Sequence, residues 1–151
     1  MDYIFKIGQK FGTIPLNIAD KDINKILGKP DNFHTETGVE CYTSNYQYLK
    51  QGLDISFIHF DKFDNELQIQ TNKIIFNNKN LYSLQKNKIL SIIEKEHKLR
   101  KIKYKFEHQK YEFYDAESEE EYEFEQIGLT LWFIKNNLCN VCVSSLSKNE
   151  L

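Results

Sequence analysis

Gly128-Leu129-Thr130-Leu131-Trp132-Phe133-Ile134 and, 76 positions earlier, Gly52-Leu53-Asp54-Ile55-Ser56-Phe57-Ile58 are the segments on which the fold turns. In the earlier one, apolar residues at 53, 55 and 57 alternate with polar ones at 54 and 56, the period of a strand with one buried face. The two segments match at Gly, Leu, Phe and Ile and set Leu131 against Ile55 at the remaining core position. A turn and another strand follow each, and a helix with one or two strands precedes each at some distance. The pattern predicts an α+β fold in which a mostly antiparallel sheet is built from two α-β-β-β-like halves, about 13–76 and 84–146, with about two helices packed on it. Chance likeness between strands that open on Gly-Leu is the competing account of the echo.

Ile89, Leu90, Ile92 and Ile93 share one side of a helix over Asn87 to Lys98, with Lys88, Glu94, Lys95 and Lys98 on the other. A shorter helix over Ile18 to Leu27 has Asp20 as its expected N-cap, Gly28 as its stop and Pro30 beyond it. Strands are expected at Val39 to Thr43, Tyr46 to Leu49 (with Ser44-Asn45 as a turn), Glu66 to Gln70, Ile102 to Phe106 and Leu138 to Ser145. Tyr3 to Phe11 reads as an edge strand or extended arm, and Lys148 to Leu151 as a frayed end.

A length of 151 residues, 40% of them hydrophobic, suits a single domain spanning 1–151 with one core. The start lacks the basic head and apolar run of a signal peptide, and no stretch reaches the length of a bilayer span; three cysteines form no disulfide framework. These features predict a cytoplasmic protein without a membrane partner. All basic residues but Arg100 are lysine, which argues against a nucleic-acid reader that relies on the guanidinium fork. Lys98 to Lys110 interleaves with Tyr104 and Phe106, but alternation sends the aromatics to the face opposite the lysines, so no stacking platform lies beside the charge. Those lysines could instead pair with the acidic segment described below.

Motifs for catalysis are missing: the chain has no phosphate-loop, dinucleotide or nucleophile-elbow string and no paired-histidine metal motif. Cys139-Asn140-Val141-Cys142 has the C-x-x-C spacing but no second pair or nearby His to complete a zinc site. The sequence therefore predicts no enzyme, no metal and no cofactor. What remains is the acidic run, with Tyr114, Asp115, Glu117, Glu119, Glu120, Glu121, Tyr122, Glu123 and Glu125 as candidate partner-binding residues. Aromatic anchors ringed by carboxylates suit a partner with a basic surface. A solvated loop or a charged edge strand that resists sheet-to-sheet association would produce the same composition.

A helix ending Ile26-Leu27-Gly28-Lys29-Pro30, Gly-Leu-led strand pairs, an acidic aromatic surface and no catalytic constellation resemble the immunity proteins of bacterial polymorphic toxin systems, including contact-dependent growth inhibition. The resemblance implies a protein that binds one cognate toxin domain, a nuclease for example, and neutralises it by occluding its active site or substrate-binding surface without turnover. A structural or adaptor module and a small-ligand-binding protein are the alternatives.

Overall fold

The computed structural model describes residues 1–146; the end expected to fray, Lys148 to Leu151, lies outside them. Chain order begins with β1 (Phe5–Lys6), β2 (Lys10–Phe11) and β3 (Ile14–Pro15), a small antiparallel sheet of its own. A 3-10 turn at Asp20–Asp22 leads into α1 (Ile23–Leu27), followed by β4 (Asn32–Gly38), β5 (Cys41–Tyr48), β6 (Leu53–Phe60) and β7 (Glu66–Thr71). After the hairpin of β8 (Ile75–Phe76) and β9 (Lys79–Asn80) come α2 (Lys86–Leu99), β10 (Glu107–Tyr111), β11 (Glu119–Phe124), β12 (Leu129–Ile134) and β13 (Asn137–Ser144). The fold is α+β, with one large antiparallel sheet in the order β10-β11-β12-β13-β7-β6-β5-β4.

Each half is a helix followed by a four-stranded meander, and the meanders join where β13 pairs antiparallel with β7. The separation of 76 holds across two strands of each half. Tyr46 opposes Ile55 as Tyr122 opposes Leu131, and Tyr48 opposes Leu53 as Phe124 opposes Leu129. All eight side chains are buried and face the same layer. The matched glycines have a backbone cause, since Gly52 and Gly128 both sit at φ +68°, a left-handed conformation that strains residues with a Cβ. A Cβ at Gly128 would also collide with the Ser144 carbonyl, and one at Gly52 with the Asn72 side chain.

The covered side of the sheet carries the core. Ile89 and Ile93, four residues apart along α2, join Leu53, Ile55, Phe57, Ile69, Leu131, Phe133, Val141 and Val143 in one cluster, together with Phe5, Phe11 and Ile14 from the small sheet, and His97 is buried one turn further along the same helix face. Burying one such side chain stabilises by roughly 1.5–3 kcal/mol, so the cluster dominates the stability. His97 is fully buried; its Nδ1 lies 2.8 Å from the Ile93 carbonyl and its ring stands edge-on to Tyr104.

The observed elements depart from expectation in four places. β4 was not anticipated, and it makes the first meander four strands rather than three; the second reaches four through β11, which the acidic segment forms between β10 and β12. Ser44-Asn45 is not a turn but the middle of β5, which is paired along its length by β4 and β6. Ile102 to Phe106 is not a strand: its side chains are partly covered by the aromatic cluster of Tyr104, Phe106 and Phe124, but its backbone joins no ladder until Glu107. Asp20 does not cap a helix; α1 begins after Asp22 with no side-chain cap, and the Asp20 carboxylate turns to the sheet instead.

Candidate functional site

Strand pleating gives each meander an inner row against the core and an outer row away from it. On β11 the inner row is Glu120, Tyr122 and Phe124, and the outer row is Glu119, Glu121 and Glu123. The register places Ile134, Trp132 and Thr130 beside those three carboxylates, while Gln109 and Glu107 on β10 lie opposite Glu121 and Glu123. Outer-row residues across the sheet are half-buried or exposed, apart from the buried Cys142. This is an uncovered sheet face with a half-exposed tryptophan bordered by glutamates.

The other meander supplies an internal control. Its outer residues at the positions equivalent to Glu119, Glu121 and Glu123 are Thr43, Asn45 and Gln47. The inner aromatics therefore agree, Tyr46 with Tyr122 and Tyr48 with Phe124, although Ser44 stands where the other strand has Glu120, while the outer row changes from neutral on β5 to wholly acidic on β11. Among the described residues, Glu107, Glu119, Glu121 and Glu123 lack an ion-pair partner, since the nearby cations are engaged elsewhere: Lys86 with Glu120, Lys110 with Glu112 and Lys135 with Glu117. Glu107 and Glu123 stand directly opposite one another, an unfavourable cross-strand pair. Although Glu123 is exposed, local loss of hydration on the sheet pushes its carboxyl above the ordinary value, and the charges of Glu107, Glu121, Glu125 and Glu66 push it further.

The structure separates the sequence-predicted residues into three groups. Glu119, Glu121 and Glu123 reach the outer face, where the Tyr111 hydroxyl stands 3.1 Å from Glu121. Tyr114 and Asp115 are exposed on the connection between β10 and β11, together with Glu117, which pairs with Lys135 at 2.7 Å; Glu125 is exposed in the 3-10 turn after β11. Glu120 and Tyr122 are not brought to that face. Tyr122 retains only 7% of its surface, packed with Phe106, Phe124 and Phe133. Glu120 binds Lys86 at 3.0 Å and His108 at 2.8 Å; the Lys86 ammonium holds its carboxyl below the usual range, with His108 and Tyr122 assisting against partial burial. Trp132, Glu107 and Tyr111 lie outside the expected partner-binding set, and strand register places them beside the outer row of β11. The expected pairing of the Lys98 to Lys110 strip with the acidic segment does not form: Lys110 lies opposite Glu120 but pairs with Glu112.

A second polar cluster joins residues far apart in sequence. The Asp20 carboxylate accepts hydrogen bonds from the Tyr46 hydroxyl and from His59, whose Nε2 lies 2.9 Å away. Burial works to raise the Asp20 carboxyl, but the hydrogen bonds of Tyr46, His59 and Ser44 and the charge of His59 outweigh it and hold the group below its ordinary value. Beside this cluster, a cleft of about 780 Å³ has Leu16, Ile18, Phe57 and Phe63 on its walls. The carboxylate's donors all come from β5 and β6, so its evident work is to pin the segment before α1 onto the sheet. As for the C-x-x-C string, Cys139 is exposed and Cys142 buried, and burial pushes the Cys142 thiol up to about 11, far from a reactive thiolate.

No family model matches the chain, and no curated protein or solved structure matches it either. Among the described residues, no helix is long and apolar enough to cross a membrane, and no group of three or more His, Cys, Asp and Glu is arranged to hold a metal ion.

Proposed function

We propose that this chain is a binding protein that captures a cationic protein partner on the outer face of β10, β11 and β12, and that it serves as the immunity protein of a bacterial toxin, acting in the cytoplasm by occlusion without turnover. The observation that carries the docking reading is the acidic outer row of β11 set against the neutral outer row of β5, the equivalent strand of the other meander. Because Thr43, Asn45 and Gln47 serve equally well as outward residues, folding does not require carboxylates there. Glutamates concentrated around Trp132 create a negative field that steers a basic surface, and the indole supplies a large anchor at its centre. A toxin domain that binds nucleic acid has the complementary charge.

The test is capture of the native partner from the source cells with the full chain as bait, beside a Glu121→Lys/Glu123→Lys variant and a Trp132→Ala variant. A basic polypeptide retained by the wild type, released by salt and lost from both variants is the expected result. Growth protection against that polypeptide then distinguishes immunity from an adaptor role. Equal retention by all three baits would remove this face from the mechanism.

A further inference from the structure

The two ends of the large sheet are equivalent by topology but unequally guarded. At one end β10 carries Glu107, His108 and Lys110 within five residues, the kind of charged edge that discourages strand addition. At the other end β4 reads Asn32-Phe33-His34-Thr35-Glu36-Thr37-Gly38, with no Lys, Arg or Pro and all seven residues exposed. It is as long as many central strands, and exposed apolar side chains lie near it: Phe33 keeps 52% of its surface and Val39 92%. A long, lightly charged and partly apolar edge is a template for another strand.

The hairpin that ends β4 decides which backbone groups are free. Gly38 and Cys41 are paired across the two-residue connection Val39-Glu40, and antiparallel strands turn alternate residues toward and away from the partner strand. Counting back from Gly38, residues 36, 34 and 32 address β5, so Phe33, Thr35 and Thr37 direct their N–H and C=O groups to the open edge.

We propose that β4 is the contact strand of a symmetric dimer, pairing antiparallel with β4 of a second copy about an axis through Thr35 and continuing the sheet across the two molecules. Self-pairing about an axis perpendicular to the sheet permits only axes that pass through a residue. Through His34 the axis would oppose two histidines, through Glu36 two carboxylates, and through Phe33 or Thr37 it would pair only one end of each β4, whereas the axis through Thr35 pairs the whole strand. Through Thr35 it sets His34 against Glu36 of the second copy twice on the outer face, Thr35 against Thr35, and Phe33 against Thr37 twice on the other face. His34 and Glu36 already approach one another within the strand at 3.5 Å, and imidazole can donate an N–H to a carboxylate in either protonation state. The self-complementary charge order and the outward backbone groups thus select one register and one occupant. This contact lies at the far end of the sheet from the acidic face and is independent of its function.

Sedimentation equilibrium and light scattering over a dilution series read the proposal directly. The wild type should approach twice the chain mass as concentration rises. Thr35→Pro, which deletes an outward N–H while leaving the β5 ladder intact, should remain at the single-chain mass, with circular dichroism confirming that it is folded. Glu36→Arg should likewise stay single, and His34→Glu/Glu36→Arg should regain the doubled mass, because the order of charges is reversed but still complementary. A wild type that stays at the single-chain mass throughout, or doubled mass persisting in Thr35→Pro, would overturn it; so would failure of the charge swap to rescue Glu36→Arg.

Discussion

Glu123→Gln should stabilise the protein while weakening its hold on a cationic partner. Glu123 faces Glu107 across the β10–β11 ladder and has Glu121 and Glu125 on its own chain segment, with no cation paired to it among the described residues. Directly opposed like charges cost roughly 0.2–1 kcal/mol, and because both carboxylates are exposed, solvent screening keeps the figure near the middle of that range, about 0.5 kcal/mol at low salt. For a domain of this size that corresponds to a rise in Tm of about 1–2 °C. The folded-state carboxyl is raised, so its penalty is absent below the unfolded value, grows as pH rises through the folded value and is complete at neutral pH. Scanning calorimetry at low salt should therefore find the variant more stable at pH 7 and indistinguishable from wild type near pH 4, with the gain shrinking in high salt. Because Glu107→Gln removes the same repulsion, the double variant should gain less than the two singles combined. Loss of stability at pH 7, or a gain that survives at pH 4, would refute the electrostatic account of this face.

Asp20→Asn should lower stability at neutral pH by about 1–2 kcal/mol, since hydrogen bonds to a charged acceptor are worth more than those to a neutral one. Asp20 has a depressed folded pKa, so its contribution is present above the unfolded value and lost as pH falls through the folded one; denaturant titrations should show the gap to wild type closing below pH 3.8. Gly28→Ala and Gly128→Ala separate conformational strain from steric clash. Both glycines have positive φ, but nothing lies within 4 Å of a Cβ at Gly28 while the Ser144 carbonyl blocks one at Gly128. Urea melts should show about 1 kcal/mol lost at Gly28 and at least twice that at Gly128.

What could be read from the sequence followed what each segment buries. β6, β12 and α2 announce themselves because each has one apolar side and one polar side, and the period of that contrast is the element. β4 has no such contrast: all seven residues are exposed, so no pattern marks it, although its backbone is fully paired on one side. The error at Ser44-Asn45 has the opposite origin. Two residues with turn propensity lie between strand-like runs, but ladders on both sides and the burial of Ser44 hold them extended. Ile102 to Phe106 shows that alternation reports which side chains are covered, not whether the backbone has a partner. The Asp20–His59 contact joins positions 39 residues apart, and no local signal could reveal it. Composition did locate the acidic segment, yet only register could divide it. Along β11 one parity carries Glu119, Glu121 and Glu123 outward and the other turns Glu120 and Tyr122 inward.

That division also weighs against the simplest account of the acidic run, that it exists to keep sheet faces apart. Discouraging face-to-face association needs scattered charge of either sign, and a mixture would serve at lower electrostatic cost. The face instead gathers one sign, places Glu107 and Glu123 in opposition, and leaves a tryptophan half-exposed at the centre, each of which works against solubility or stability when the protein is alone. The lysines that could have neutralised the row are nearby, but Lys86 and Lys135 are committed to Glu120 and Glu117, away from the outer row of β11. A fold that already accommodates Thr43, Asn45 and Gln47 at the matching positions had a neutral solution available. Keeping the costly one makes sense when a cationic surface relieves the repulsion on binding, so the penalty measured at Glu123 in the free protein should diminish in the complex. The same calorimetric comparison, repeated with the captured partner present, should show Glu123→Gln less stable than wild type.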